Sequence, residues 1–285
     1  MTTIGVVSPG AMGSGVAHAL LEGGARVVAT LAGRTERTGR LAERANVELL
    51  PSLADVVREA DVLLSIAPPG YAESIARDVA QVAAEVASKP LLAELNAIAP
   101  ATVRRIASAI DLEVVDGSIS GPPPWRTGTT RIYLSGRRAP EVAALPFAGV
   151  DVIVVGDEVG TASAVKMCTA SVYKGTTAVL VHALLTAQAN GVLEHVLADL
   201  RDSGEPVDGA GRRIASAATK AERFVAEMLE IAATQEAAGL PAGLFGGMAE
   251  AYAAVSLRPL ARQAPEEIPP DIALEDVLKR LRPLE

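Results

Sequence analysis

The chain has few aromatic residues, one cysteine and three histidines. Aromatic residues make up 3% of its 285 residues. The single cysteine, Cys168, excludes a disulfide within the chain and any metal site built from several cysteines. The three histidines, His18, His182 and His195, lie far apart, without a spacing typical of a metal site. We therefore expect no metal cofactor.

Long apolar runs and basic clusters are also missing. The longest apolar run, residues 177–185, is interrupted by His182 and is far shorter than the roughly 20 residues that span a bilayer. The net charge is −8, and no basic stripe is interleaved with aromatic residues, which argues against nucleic-acid binding. The start of the chain does not resemble a secretory signal. We expect a cytoplasmic protein with neither a membrane partner nor a nucleic-acid partner.

The sequence does contain many small apolar residues in a regular order. The first half alternates short apolar runs with segments of helical spacing, which predicts right-handed crossovers and a doubly wound sheet. Strand signals cease after Gly156-Asp157, and only helical patterns follow; these cover residues 159–188, 192–200, 211–238 and 242–255. The predicted fold class is α/β. A Rossmann-type doubly wound domain occupies residues 1–157 and an all-α domain occupies residues 158–285.

A glycine-containing segment joins the first predicted strand to the first predicted helix. Gly10 and Gly13 occupy the second and third positions of the three-glycine dinucleotide-binding pattern, and Ser8 occupies the first. Backbone amides at the helix start would face the phosphates of a dinucleotide. The alternative is a glycine-rich turn that binds no ligand. The residues predicted to bind the pyrophosphate are Ser8, Pro9, Gly10, Ala11 and Met12.

The second predicted strand ends at Gly33-Arg34-Thr35, with a base where an acid is typical of NAD binding. The Arg34 guanidinium could pair with a 2′-phosphate and stack on adenine, and Thr35 could donate its hydroxyl to the same phosphate. Alternatively, Thr35 serves only as the cap of a solvated helix. Both can hold together, and we predict NADP(H) as the cofactor.

Several further candidates follow the ends of predicted parallel strands, where the ligand crevice of an open sheet lies. Ala67 and Pro68 would form an apolar wall beside the nicotinamide ribose, and Asn96 could bind the carboxamide or the ribose. The alternative for Asn96 is a turn residue whose side chain binds nearby backbone. Ser120-Gly121 follows a later strand at the same edge.

Lys166 is the candidate for proton transfer. It lies in an apolar stretch of the first helix after the domain boundary, where a lysine is costly to bury without a partner or a task. A dehydrogenase needs a group that gives a proton to a carbonyl oxygen as hydride arrives, and a desolvated lysine can do so. The alternatives are a surface lysine at the domain junction and a catalytic role for Lys174, eight residues further on.

These motifs, in this order, resemble the β-hydroxyacid dehydrogenase and 6-phosphogluconate dehydrogenase superfamily. Residues 116–124, 166–168 and 173–175 are similar to a branch with a phosphogluconate-dehydrogenase-like C-terminal domain of unknown function. The resemblance implies a catalytic Lys166, substrate binding at Ser120 and Gly121, and a homodimer built through the helical domain. The residues expected to bind substrate are Ser120, Gly121, Pro122, Thr169 and Lys174.

The chain departs from the superfamily pattern at two places. Thr169 and Ala170 stand where the superfamily usually has an asparagine, one turn after the lysine. Residues 122–124 are prolines where it has Gly-Gly, so a stiff loop with fewer backbone donors reshapes the pocket. We predict an NADP-dependent oxidoreductase acting on a small hydroxy acid or carbonyl compound. Alternatives are an imine reductase of related fold and a non-catalytic NADP-binding sensor or scaffold.

Overall fold

The computed structural model describes residues 2–282. These residues form two compact units, one ending at Met167 and the other beginning at Cys168. We call them the first unit and the second unit. The longest helix, Thr161–Ala189, begins in the first unit and continues into the second.

The first unit is built on one eight-stranded sheet. In chain order the strands are β1 Thr3–Val6, β2 Arg26–Ala29, β3 Glu48–Leu49, β4 Val62–Ser65, β5 Leu91–Glu94, β6 Val114–Ser120, β7 Arg131–Ser135 and β8 Asp151–Gly156. Their order across the sheet is β3-β2-β1-β4-β5-β6-β7-β8. The predicted α/β class and Rossmann-type sheet are confirmed.

Helices cover both faces of this sheet. They are α1 Ala11–Glu22, α2 Glu36–Arg44, α3 Leu53–Glu59, α4 Ala72–Glu85, α5 Pro100–Ala109 and α6 Ala139–Ala143, with a 3₁₀ turn at Pro69–Tyr71 before α4. Side chains of a strand alternate between faces. On β4, for example, Leu64 packs in one core layer and Leu63 in the other. Burial on both faces explains why the central strands are apolar without alternation.

One pair of neighbouring strands is antiparallel. β6 and β7 run in opposite directions, whereas every other neighbouring pair in the sheet is parallel. The connection between them, residues 121–130, contains no helix. A parallel return needs a crossover of about a dozen residues or more, so this shorter loop can only reverse the chain.

The second unit is helical throughout its described part, which confirms the predicted all-α region. Its helices are the remainder of α7 Thr161–Ala189, then α8 Leu193–Asp202, α9 Ala210–Ala218, α10 Ala221–Ala237, α11 Gly243–Ser256 and α12 Leu274–Leu281, with 3₁₀ turns at Pro259–Arg262 and Pro265–Glu267. No helix in residues 2–282 combines the length and the apolar character needed to cross a bilayer.

The single helix predicted over residues 211–238 is wrong. It is two helices, α9 and α10, separated at Thr219 and Lys220. α9 packs against α12, whereas α10 packs against α11, so the chain changes direction between them. Neither glycine nor proline marks this break, and tertiary packing therefore overrides the continuous helical pattern.

Candidate active site

The loop after β1 leads into a helix whose N-terminus has no side-chain cap. Gly10 is the N-cap of α1, and none of the described side chains accepts a hydrogen bond there. In contrast, Thr35 caps α2 and Ser52 caps α3, each accepting from a first-turn amide. The first turn of α1 also contains no acidic residue. Its amides and the helix dipole therefore suit an external anion.

The two glycines of this loop have different structural requirements. A Cβ atom at Gly13 would collide with the carbonyl oxygen of Ser8, so this position needs glycine for close packing of α1 on the loop. Gly10 has an ordinary φ of −71°, and no atom lies within 4 Å of the place where its Cβ would stand. Neither backbone nor packing among the described residues demands glycine at position 10, and the space beside it is open.

β2 ends at Ala29, so the strand end predicted at Gly33-Arg34-Thr35 is wrong, and Arg34 reaches back towards the first loop from the turn after β2. Its side chain is exposed, and Nη2 donates a hydrogen bond to the carbonyl oxygen of Val7 at 3.1 Å. Thr35 caps α2 through the amide of Thr38 at 3.3 Å, as the alternative interpretation expected. The chain thus presents a guanidinium and a hydroxyl after the second strand, a set that fits a 2′-phosphate.

Asn96 joins the ends of β4 and β5. It is buried; its Oδ1 accepts a hydrogen bond from the amide of Ala67, and its Nδ2 donates to Ser65 Oγ at 3.1 Å. Ala67 is half-buried and Pro68 is exposed. Asn96 therefore fixes the turn that was expected to face the nicotinamide ribose.

A buried acid, Glu94, lies directly behind Asn96, and the sequence analysis missed it. Its side chain has no solvent exposure, and its Oε1 accepts a hydrogen bond from the Asn96 amide at 3.0 Å. Burial raises the pKa of Glu94 to about 8. The available signal was an acid inside an otherwise apolar strand, Leu91 to Leu95.

A second missed acid, Asp116, holds the start of α7. Its carboxylate accepts hydrogen bonds from the amides of Gly160 and Ser163 at 2.8 and 3.0 Å, from Ser163 Oγ at 2.6 Å and from Ser135 Oγ at 2.9 Å. A carboxylate at a helix N-terminus is favoured by the free amides and by the dipole. Asp116 therefore attaches the first turn of α7 to β6 and β7.

Lys166 follows one turn later on α7 and points to the end of β6. Further hydrogen bonds fix the helix here, because Ser118 Oγ donates to the Ala162 carbonyl at 2.9 Å. Lys166 is half-buried, and its Nζ donates to the Ile119 carbonyl at 2.6 Å. The ammonium group therefore lies beside the residue that precedes Ser120.

The loop after Ser120 is folded tightly. Gly121 has a φ of +111°, and a Cβ there would collide with the Thr129 carbonyl oxygen. The carbonyl of Pro122 accepts a hydrogen bond from Thr130 Oγ1 at 2.6 Å. Glycine is needed at 121 for both reasons.

The rest of this loop lies against the first two helices. Pro123 and Pro124 pack where Gly15 of α1 leaves room, since a Cβ at Gly15 would come within 2.9 Å of both prolines. The Trp125 ring lies 5.1 Å from the His18 ring, and the Arg44 guanidinium lies 4.3 Å from the Trp125 ring centre. The proline-rich loop is therefore attached to α1 and α2.

The other two predicted substrate residues belong to the second unit. Thr169 is half-buried on α7. Lys174 forms an ion pair with the buried Glu227, and its Nζ lies 4.5 Å from the Phe224 ring centre. The carbonyl of Lys174 accepts a hydrogen bond from Tyr252 at 2.8 Å. Glu227 thus pairs with Lys174 and also with Arg223, which lies one turn earlier on α10.

The first unit brings most of the predicted site residues to the carboxyl edge of its parallel strands. They are Ser8, Pro9, Gly10, Ala11, Met12, Arg34, Thr35, Ala67, Pro68, Asn96, Ser120, Gly121, Pro122 and Lys166. This edge is where an open α/β sheet binds its ligand.

Two family models match separate parts of the chain. Residues 3–88 match the model described as NADP oxidoreductase, coenzyme F420-dependent. Residues 187–255 match a domain of unknown function, DUF1932. The first match covers β1 to α4, which includes the uncapped helix and Arg34. The second lies within the helical unit.

Known proteins similar to this chain include one from Methanothermus fervidus. It is an uncharacterised 28.5 kDa protein, 27% identical over 202 residues that cover 70% of this chain and 77% of its own. Among solved structures, a conserved protein of unknown function described as similar to 3-hydroxyacid dehydrogenases is 29% identical. It has a TM-score of 0.64, with 89% of this chain and 96% of that chain covered.

Two enzymes of known activity share the fold at lower identity. The 3-hydroxyisobutyrate dehydrogenase of Mycobacterium tuberculosis, solved with L-serine, is 21% identical with a TM-score of 0.67, covering 99% of this chain and all of that chain. An imine reductase from Myxococcus stipitatus, solved with NADP⁺, is 18% identical with a TM-score of 0.53, covering 98% of this chain and all of that chain. These two similarities show a common fold.

Proposed function

Because the chain belongs to the superfamily of β-hydroxyacid dehydrogenases and their relatives, with a DUF1932 region in its helical part, we propose that it is an NADP(H)-dependent oxidoreductase. Its substrate is a small hydroxy acid or the corresponding carbonyl compound. The observation that carries this proposal is the placement of Arg34 on the Val7 carbonyl, beside the uncapped N-terminus of α1.

The cofactor is held by residues of the first unit. The amides of Ala11 and Met12 bind the pyrophosphate above the open space at Gly10, and Arg34 with Thr35 binds the 2′-phosphate. Asn96 holds the Ala67-Pro68 turn as the wall beside the nicotinamide ribose. A bound nicotinamide supplies or accepts the hydride.

Lys166 moves the proton of the reaction. Its Nζ gives a proton to the carbonyl oxygen of the substrate during reduction, or takes one from the hydroxyl during oxidation. Its hydrogen bond to Ile119 keeps Nζ at the end of β6. The Ser120 hydroxyl and the Gly121 amide, which follow at the same strand end, orient the substrate carboxylate.

The preference for NADPH tests the assignment of Arg34. We expect Arg34→Ala to weaken NADPH binding about tenfold or more, since charge-assisted hydrogen bonds contribute about 1.5–3 kcal/mol, and to weaken NADH binding much less, because NADH loses only the stacking on adenine. The matched control is Arg40→Ala, because Arg40 is an exposed arginine of the same segment that pairs with Glu36. Fluorescence titration with both nucleotides measures the effect. Equal losses for NADPH and NADH, or equal losses in both variants, would contradict the role of Arg34.

The second unit supports the proposal of a homodimer built through the helices. Large apolar side chains are exposed on it, among them Val172 and Val179 on α7 and Leu244 on α11. Val172, Val179 and Leu244 line one groove of the second unit. Exposed apolar surface of this kind is typical of protein interfaces. The occupant that we propose is the same surface of a second copy.

Imine reduction is the second candidate function, favoured by the fold shared with imine reductases. Lys166 argues against it, because related imine reductases generally lack a lysine at this helix position. Turnover of cyclic imines with NADPH, in the absence of hydroxy-acid turnover, would favour this alternative. A third candidate is a non-catalytic NADP-binding sensor or scaffold, because Thr169 and Ala170 stand where the superfamily usually has an asparagine. Such a protein would bind NADPH but would turn over neither cyclic imines nor hydroxy acids.

A further inference from the structure

We propose that Glu94 is a positioning residue whose uncharged carboxyl group keeps the candidate cofactor site in its binding arrangement. It acts through Asn96, which in turn holds the Ala67-Pro68 turn. This inference rests on the proposed function, because it concerns the same cofactor site. It assigns a role to a group that touches neither cofactor nor substrate.

The chain of contacts from Glu94 to the site is short and buried. Glu94 ends β5, and its Oε1 accepts the amide hydrogen of Asn96 at 3.0 Å. The Asn96 side chain then connects to Ser65 and to the Ala67 amide. Glu94, Ser65 and Asn96 are all almost inaccessible to solvent. Any change in the Glu94 side chain therefore reaches the turn at Ala67 through two hydrogen-bonded steps.

Two buried carboxyl groups lie on neighbouring strands at this point. Glu94 on β5 and Asp116 on β6 are register partners, and neither is exposed. Asp116 receives four hydrogen bonds, including two from the N-terminal amides of α7. Glu94 Oε2 has no hydrogen-bond partner among the described residues. Burial and the neighbouring Asp116 carboxylate therefore both raise the pKa of Glu94 and favour its protonated form.

Among the described residues, the groups that act on Glu94 are Ser65, Asn96 and Asp116, and none of them carries a positive charge. β4 presents the neutral hydroxyl of Ser65, and the loop after β5 presents the neutral amide of Asn96. From β6, the charge of Asp116 opposes ionisation of Glu94. At the start of α7, the amides of Gly160 and Ser163 already donate to Asp116. Ionised Glu94 would thus be an uncompensated buried charge, and the strand end must rearrange to reach water or a new donor.

The pH dependence of cofactor binding follows from this arrangement. The pKa of Glu94 is raised to about 8 by desolvation, so the carboxyl is uncharged at pH 7 and ionised at pH 9. If only the uncharged form binds, the dissociation constant of NADPH rises about tenfold between pH 7 and pH 9. Glu94→Gln, which is uncharged at every pH and keeps an acceptor for the Asn96 amide, should bind NADPH with the pH 7 affinity throughout.

The experiment is a titration of the full chain with NADPH from pH 6 to pH 9.5. It compares the wild type, Glu94→Gln and Glu113→Gln, a control at an exposed acid just before β6. The proposal expects the wild type and Glu113→Gln to lose affinity together, while Glu94→Gln does not. A further variant, Glu94→Leu, lacks the acceptor and should bind weakly at every pH.

The possible results distinguish a failure of the Glu94 inference from a failure of the proposed function. A wild-type affinity that stays constant up to pH 9.5 overturns the inference whether or not any variant folds. The same holds if Glu94→Gln loses affinity in parallel with the wild type. In both cases NADPH binding itself preserves the proposed function. Absence of NADPH binding by the wild type at every pH overturns the proposed function and this inference together.

Discussion

At the edge of the sheet, some single residues are required by the fold, whereas others are explained only by a bound ligand. Gly13 is glycine because α1 packs closely on the Ser8 carbonyl, whereas Gly10 is glycine with no such cause in the protein. The two lysines of α7 differ in their partners. Lys174 forms an ion pair with Glu227, whereas Lys166 donates a hydrogen bond to a backbone carbonyl. Such differences assign each of these positions a role that a substitution can test.

Substitutions at the two glycines should have opposite effects. Gly10→Asp places an N-cap side chain where there is room, so we expect the free energy of unfolding to stay the same or to rise by about a few tenths of a kcal/mol. NADPH binding should be lost, because the carboxylate occupies and repels the pyrophosphate position. Gly13→Ala should destabilise the fold by about 1–3 kcal/mol through overpacking. Denaturant unfolding and NADPH titration measure both effects, and NADPH binding by Gly10→Asp at wild-type affinity would refute the assignment.

Removal of the Lys166 amine should affect chemistry more than binding. For any substrate found, we expect Lys166→Ala to lower kcat by at least about 100-fold, the contribution of a general acid, with little change in NADPH affinity. Lys174→Ala is the comparison, because it removes a lysine of the same helix whose ammonium group is paired with Glu227. Steady-state kinetics of both variants distinguishes them. A larger loss of kcat in Lys174→Ala than in Lys166→Ala would transfer the role to Lys174.

Single site residues could be predicted from the sequence where they belong to a short local pattern. The glycines, Arg34 and Lys166 lie in short patterns that can be interpreted without tertiary information. Glu94 and Asp116 could not be found in this way. Their importance depends on being neighbours across β5 and β6 and on the packing of α7 beneath them, which are separated in sequence by more than twenty residues.

At the scale of elements, the loop between β6 and β7 is held in place by packing against two helices. Its prolines lie in the space that Gly15 leaves on α1, and Trp125 is attached to α1 and α2. The three prolines predicted a stiff loop, but no local pattern predicted the surface of α1 and α2 on which the loop packs. The break between α9 and α10 was also missed, since no local residue marks it.

A larger side chain on α1 should displace this loop. Gly15→Val introduces a Cβ within 2.9 Å of both prolines, so we expect Trp125 to become more exposed. Trp125 is the one tryptophan of the chain, and a red shift of its fluorescence emission reports the displacement. Gly39→Ala in α2 is the control, because its Cβ would meet Leu31 at an ordinary 3.6 Å. An unchanged emission spectrum in Gly15→Val would show that the loop is not held by α1.

At the scale of the whole molecule, two units of different composition follow one another along the chain. The change from alternating strands and helices to helices alone was readable from periodicity, because burial on both faces of a parallel sheet leaves a recognisable pattern. The exposed apolar groove of the second unit was not readable, since each of its residues resembles an ordinary core position in sequence. Only the structure shows them to be exposed.

The exposed apolar groove of the second unit predicts that the protein is a homodimer. We expect Val179→Glu together with Leu244→Glu to convert a dimer into a monomer, because charges would then face each other across an apolar interface. Val154→Glu is the control, since Val154 is an exposed valine on β8 of the first unit. Light scattering coupled to size-exclusion chromatography gives the mass of each variant. A wild type that is monomeric at all concentrations would contradict the homodimer.

The most direct measurement of the central claim is a calorimetric titration of the wild-type chain with NADPH and, separately, with NADH. We predict one NADPH bound per chain, at least about tenfold more tightly than NADH, because the Arg34 guanidinium and the uncapped amides of α1 each meet a phosphate group. Failure of both nucleotides to bind would contradict the account of this site.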